Sequence, residues 1–295
     1  MTQTGRIRTD GATLYHERRG SGPALLMISG GGGDAGYYSG VGDHLADAYT
    51  VLTYDRRGNS RSTVDDRSLP MTMAEQVADA LAVLAHHDLE SAVVFGGSGG
   101  ALIGLDLTAR SPAAVQGLIA HEPPVLSLLT DADRALFAEI EEVSRREGPL
   151  PAWVRFVSSI DRPQSPALVR SPFGRRLLAG AVRAGRAAFR YGPLPLREVG
   201  RFMGNSEYLM SREVGPFLTF EPDFAALKAS GVPIVVGVGV ESRPYYPARG
   251  GEAVAERLGV PVVEFPGLHA GYAEKPAEFA VTLREVLAGL REPAR

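Results

Sequence analysis

One stretch constrains this chain more than any other: Val93-Val94-Phe95-Gly96-Gly97-Ser98-Gly99-Gly100-Ala101-Leu102. A short β-branched and aromatic run enters Gly-x-Ser-x-Gly, and an apolar segment with helical spacing leaves it. A serine so placed sits on a sharp strand-to-helix turn. Its hydroxyl is raised at the carboxyl end of a sheet, by the positive end of the following helix. The glycines two residues to either side keep neighbouring atoms clear of it. Such a motif recurs by chance in glycine-rich chains, and this one has 35 glycines in 295 residues. Its weight therefore comes from the strand and helix patterns around it.

The same alternation runs along most of the chain. Arg6 to Arg8 and Ala12 to Arg18 read as a hairpin around Asp10-Gly11. Ala24 to Ser29, Tyr49 to Tyr54, Ala92 to Phe95 and Val115 to Ala120 are short continuous apolar runs, the pattern of strands buried on both faces. Tyr38 to Ala48, Met73 to His86 and Ala101 to Arg110 carry helical spacing. Alternation stops near Val125. Up to Ala229 the chain reads as helices with Pro-rich joints: Asp131 to Arg146, Phe173 to Arg190 and Leu196 to Arg212. So long a span between two strands is an insertion rather than a loop. Strands resume at Val232 to Val238 and Val260 to Phe265, with helices at Pro247 to Leu258 and Pro276 to Leu290. The expectation is an α/β fold with a mostly parallel sheet flanked by helices. Its core spans 1–124 and 230–295, and 125–229 forms a helical cap.

In such sheets ligands sit at the carboxyl ends of the strands. The chemistry-bearing candidates all fall there: Gly30-Gly31-Gly32-Gly33, Ser98, Glu122, Glu241 and His269. A serine hydroxyl needs a base within hydrogen-bond reach, and after Ser98 the histidines are His121 and His269. Four consecutive glycines let backbone N–H groups approach a ligand closely. No Gly-Lys-Ser/Thr follows to make them a P-loop.

Together these features resemble the α/β-hydrolase superfamily across nearly the whole chain. The Gly-rich turn, the Tyr54-Asp55-Arg56-Arg57-Gly58-Asn59-Ser60-Arg61 turn, the Ser98 elbow and Pro266-Gly267-Leu268-His269 fall in family order. The resemblance implies Ser98 as nucleophile, His269 as base, and the N–H groups of Gly99 and Gly31 as oxyanion donors. The family's histidine ahead of the Gly-rich turn is Ser29 here. The resemblance offers two acids. The usual place follows the strand Val232 to Val238. Counting from Pro233, it falls on Ser242, and Glu241 lies one residue early, with Arg243 close by as an ion-pair partner. Glu122 stands where certain haloalkane dehalogenases of this superfamily carry theirs, and it is placed first. Serine at the elbow argues against epoxide-hydrolase and dehalogenase chemistry, which need a carboxylate nucleophile.

The activity expected is acyl transfer through an acyl-Ser98 intermediate. With water as acceptor the protein is an esterase or thioesterase of a small molecule. With another acceptor it is an acyltransferase. A non-catalytic ligand-binding member of the fold is the reading from a different class. From Arg162 to Arg197 the chain holds no Asp or Glu, and Arg176, Arg183, Arg186 and Arg190 fall on one helical stripe. The opposite side carries Leu177, Leu178, Ala181, Val182, Ala188 and Phe189. The stripe reads either as a solvated face or as a docking surface for an anionic substrate or an acidic acyl-carrier protein. Net charge is −3, which gives no general field for nucleic acid, and there is no cysteine. No His/Asp/Glu group has the sequence spacing of a metal site, so no metal or cofactor is expected. Neither a leader-like start nor an eighteen-residue apolar run is evident, so the expected location is the cytoplasm, away from membranes.

Overall fold

The computed structural model describes residues 2–161, 166–189 and 193–290. The chain opens with an antiparallel hairpin, β1 (Gln3–Thr9) and β2 (Ala12–Arg19), followed by β3 (Ala24–Ile28), α1 (Ser39–Leu45), β4 (Thr50–Tyr54) and the two-residue β5 (Thr63–Val64). Next come α2 (Met73–His86), β6 (Ala92–Gly97), α3 (Gly99–Arg110) and β7 (Val115–His121). Sheet order is β1-β2-β4-β3-β6-β7-β8-β9, with β5 beside β2. Here β8 is Ile234–Gly239 and β9 is Val262–Phe265. From β4 to β9 every neighbour is parallel.

The apolar runs are fully buried because each strand feeds two cores. Leu26, Ile28, Leu52, Tyr54 and Val94 point to the face covered by α2, α3 and the helix Tyr246–Leu258. Leu25, Met27, Val51, Val93 and Phe95 point to the face covered by α1 and the helix Pro276–Gly289. A period of two splits each run between the faces. Register is thereby fixed, since a one-residue slip would swap the faces. Helix α2 begins on a capping box: Thr72 Oγ1 accepts from the Glu75 N–H, and Glu75 accepts from the Thr72 N–H.

Between β7 and β8 lie α4 (Asp131–Glu147), α5 (Pro149–Val157), α6 (Ala167–Arg170), α7 (Pro172–Phe189), α8 (Leu194–Tyr208), α9 (Val214–Leu218) and α10 (Phe224–Ala229). A third core of Phe137, Ile140, Leu150, Trp153, Leu209 and Met210 holds much of this layer together. The fold ends with α11 (Tyr246–Leu258), α12 (Gly271–Glu274) and α13 (Pro276–Gly289).

Three differences from the sequence expectation have physical causes. Helix α5 went unread because Pro149 and Pro151 suggest a break, yet both fall in its first turn, where no intrahelical N–H is needed. The span expected as one helix to Arg212 instead ends at Tyr208 and widens into a π-turn, Leu209–Glu213. That turn carries the Glu213 carboxylate to Arg56. On α7, Leu178, Val182 and Phe189 turn towards Trp153 and Met203, but Leu177 stays 56% exposed and Ala181 and Ala188 are also exposed. The apolar side is thus narrower than expected.

Candidate active site

Ser98 joins β6 to α3 with φ 55° and ψ −123°, a conformation that non-glycine residues rarely adopt. The motif glycines are sterically required. A Cβ on Gly96 would lie 2.2 Å from the Gly100 carbonyl oxygen, and one on Gly100 would lie 2.0 Å from that of Ile28. The Ser98 N–H is tied to the His121 carbonyl at 2.8 Å. The Gly-rich loop passes directly against the serine, since a Cβ on Gly30 would stand 2.8 Å from Ser98 Cβ. Gly31 lines the same cavity as Ser98. Among the described residues its N–H meets no acceptor of the chain. Gly99 is the first residue of α3, where N–H groups are unpaired within the helix.

The loop is held from behind by Arg56. Its Nε and Nη2 donate to the carbonyls of Ser29 and Gly30, both at 2.9 Å. The guanidinium also makes a two-pronged pair with Glu213, at 2.7 and 2.9 Å, and both side chains are fully buried. Asn59 Nδ2 donates to Glu213 as well, and Asn205 Nδ2 donates to the Gly32 carbonyl. Cap residues therefore fix the backbone beside Ser98.

Glu122 is the residue after β7 and, like Ser98, has a positive φ, 48°. Its backbone N–H donates to the Gly237 carbonyl at 2.9 Å. Its carboxylate is fully buried. One oxygen accepts from the Gly239 N–H at 2.8 Å and the other from His269 Nδ1 at 2.6 Å. Burial alone would raise this carboxyl's pKa, but the hydrogen bond and charge of His269 outweigh it and hold the group below its usual range. The carboxylate can only accept, so His269 Nδ1 carries the proton and Nε2 is left free. Burial likewise pulls His269 down, and the hydrogen bond and charge of Glu122 more than reverse this, leaving it above 6.5. The structure thus brings Glu122, and not Glu241, to His269. Glu241 lies on an exposed turn, paired with Lys275 rather than with Arg243, which pairs with Glu264. Ser242, at the place counted from Pro233, is buried, and among the described residues its hydroxyl has no hydrogen-bond partner.

Ser98 and His269 open into one cavity of about 550 Å³ between the strand ends and the helical layer. Trp153, Phe156, Phe202 and Leu209 of that layer supply much of its apolar wall. Residues 23–153 match the model of the α/β hydrolase fold family. The uncharacterized hydrolase YraK of Bacillus subtilis (strain 168) is 33% identical over 287 residues, 96% of this chain and 95% of that protein. The chain belongs to the α/β-hydrolase family. Solved structures agree on the fold. A hydrolase from Pseudomonas aeruginosa PA01 superposes with a TM-score of 0.71 at 20% identity, covering 97% of this chain and 98% of its own. A thermophilic esterase from Thermogutta terrifontis, with malate bound, also gives 0.71 at 20% identity, over 98% of this chain and all of its own, 100%.

The charge lining this α/β-hydrolase cavity is acidic. Asp34, Asp161 and Glu198 border it, and among the described residues no lysine or arginine does. Asp34 is neutralised by Arg201 at 2.7 Å and accepts from Ser60 Oγ at 2.5 Å. Asp161, at the end of the α5 segment, accepts from the His269 backbone N–H at 3.3 Å, and burial raises its pKa. These carboxylates, with Arg56, Asn205 and Glu213, went unread as site residues. Only the Arg56 turn gave a sequence signal, through its place in the family pattern. His121, the other histidine, is fully buried among Phe95, Phe265 and Phe279. Of the arginine stripe, Arg176, Arg183 and Arg186 do not line the cavity. Arg176 and Arg183 are exposed, Arg186 pairs with Glu207 at 3.0 Å, and Arg190 is outside the described residues, as is Arg162. No helix among the described residues is long and apolar enough to cross a membrane.

Proposed function

We propose that this α/β-hydrolase is a serine esterase acting on uncharged, largely apolar carboxylic esters or lactones. The observation that carries the reading is the 2.6 Å contact of the buried Glu122 with Nδ1 of His269, which lines one cavity with Ser98. His269 Nε2 takes the Ser98 proton as Oγ attacks the acyl carbon. Glu122 stabilises the imidazolium that results. Charge developing on the carbonyl oxygen is met by the N–H groups of Gly99 and Gly31, at the positive end of α3. The tetrahedral intermediate collapses, and the alkoxide leaves with the proton from His269. Water then attacks the acyl-Ser98 ester with His269 again as base, releasing the acid and restoring the serine.

The uncharged-substrate part of the proposal rests on the carboxylates around an apolar cavity. A substrate carboxylate entering it would lose water against the apolar wall and meet Asp161 beside His269, with no lysine or arginine among the described lining residues to pair with it, while Arg201 is already engaged by Asp34 and Glu198. The test compares kcat/KM for a neutral p-nitrophenyl ester with that for an ester of equal chain length ending in a carboxylate. The neutral ester is expected to be favoured by at least about tenfold, about 1.4 kcal/mol in transition-state binding. Preference for the anionic ester would overturn the substrate class. Undiminished hydrolysis by Ser98→Ala would overturn the mechanism.

A further inference from the structure

We propose that His16, His86 and His87 form a binding site for a divalent transition-metal ion of the zinc, nickel or copper class, apart from the catalytic cavity. None of the three residues lines that cavity. Sequence spacing hides the group because β2 supplies His16, while His86 ends α2 and His87 is its C-cap. The sheet brings them together, with one potential ligand nitrogen from each lying within 4.8 Å of the others.

The geometry already approaches that of a chelate. His16 Nδ1 and His87 Nε2 are 3.1 Å apart. With metal–nitrogen bonds of about 2.0–2.1 Å, that separation subtends about 100° at a shared ion, between octahedral and tetrahedral angles. The third ring is the adjustable one. His86 is exposed at the helix end, and bringing its nitrogen to about 3.4 Å from the others, the tetrahedral edge, takes only a side-chain movement. His16 cannot move away. It is 4% exposed, and its ring fills a slot opposite Gly5, where a Cβ would lie 2.6 Å from Nε2. The three rings meet edge-on, with centroids 4.8, 4.8 and 5.1 Å apart.

Two further features favour a cation there. The C-terminal end of α2 carries the negative end of the helix dipole. Neutral imidazole is a good ligand for this class of ion, and an exposed third ligand leaves a position open to water. Asp88 adds negative charge nearby and Arg18 opposes it, while Glu17 is already paired with Arg19 and Arg61. A bound ion would link strand β2 to the end of α2.

The test uses untagged full-length protein stripped with a chelator, titrated calorimetrically with zinc and with copper(II) and followed by thermal unfolding. The expected result is one ion per chain and a raised Tm that the chelator reverses. His86→Ala and His87→Ala should each weaken binding by at least about tenfold. Ester hydrolysis by the metal-free variants should match metal-free wild type, because both side chains lie outside the cavity. The proposal is overturned if the His86→Ala/His87→Ala double variant binds as tightly as wild type. It is equally overturned if neither ion binds wild type or raises its Tm. The 3.1 Å contact would then be a hydrogen bond between two neutral rings.

Discussion

Glu122 shows at the residue scale what one backbone angle decides. Its φ of 48° turns the carboxylate towards both Gly239 and His269. Glu122→Gln is expected to lower kcat about 10³–10⁴-fold, because an amide neither stabilises the imidazolium nor selects the right tautomer. Glu241→Gln should stay within about twofold, as expected of an exposed ion pair. Steady-state kinetics on folded variants checks both. The pH profile follows from the same contact. His269 must be neutral to act as base and its pKa is raised, so kcat/KM should climb through an apparent pKa above 6.5. With Glu122→Gln the largest upward influence on His269 is removed, leaving burial opposed only by the weaker charges of Asp161 and Glu274, and that limb should move to lower pH. His121 works in the opposite direction. Burial among aromatic rings lowers it to about 4. The folded state therefore binds fewer protons than the unfolded state below pH 6.5, and stability falls as pH drops from 6.5 to about 4. That interval corresponds to on the order of 3 kcal/mol. Urea midpoints measured across it should fall more steeply in wild type than in His121→Leu. Ser98 and His269 were legible because a strand pattern and glycines surround one and a late strand precedes the other. The choice between Glu122 and Glu241 was not legible. It depends on a positive φ and on which residue of a short turn faces inward, and there Ser242 takes the inward place.

At the scale of elements, strands were read well because burial on both faces leaves unmixed apolar runs. Boundaries slipped where tertiary contacts decide them. The π-turn at Leu209–Glu213 is the clearest instance, since Arg56 lies 157 positions from Glu213 and the pair is formed only in the fold. Breaking it should be costly. Glu213→Ala leaves a buried guanidinium unpaired and should destabilise the protein by about 3–5 kcal/mol. Replacing both partners, Arg56→Met with Glu213→Leu, should recover much of that loss. Chemical denaturation of the three proteins checks it. If Glu213→Ala is no less stable than wild type, the pair does not anchor the cap. The double variant should still hydrolyse esters poorly, because the Ser29 carbonyl loses its Arg56 donor and the Gly30 carbonyl keeps only that of the Gly33 N–H. The arginine stripe is a second instance of partial legibility. Helical spacing revealed Arg176, Arg183 and Arg186 on α7, but not that Glu207 would pair with one of them. Arg176→Glu with Arg183→Glu should leave kcat/KM for a neutral ester unchanged at every ionic strength, since neither residue borders the cavity.

At the scale of the molecule, the parallel sheet and the helices between β7 and β8 have different tasks. The sheet delivers Ser98, Glu122 and His269 from the ends of three strands, and the order along the chain made Ser98 and His269 readable. The helical layer closes the cavity with Trp153, Phe202 and Leu209, and reaches back through Asn205 and Glu213 to hold the Gly-rich loop. That part was not readable, because it depends on how helices pack rather than on any motif. The proposed mechanism needs both: on it, a covalent acyl-enzyme forms on Ser98 with His269 as base and Glu122 assisting. Rapid mixing with a neutral p-nitrophenyl ester, followed by intact-mass and peptide analysis, tests it most directly. One acyl group should appear on the peptide containing Ser98 during the burst of p-nitrophenol. It should be absent from Ser98→Ala and form far more slowly in Glu122→Gln. Turnover by Ser98→Ala at the wild-type rate, or an acyl group carried on another residue, would rule this mechanism out.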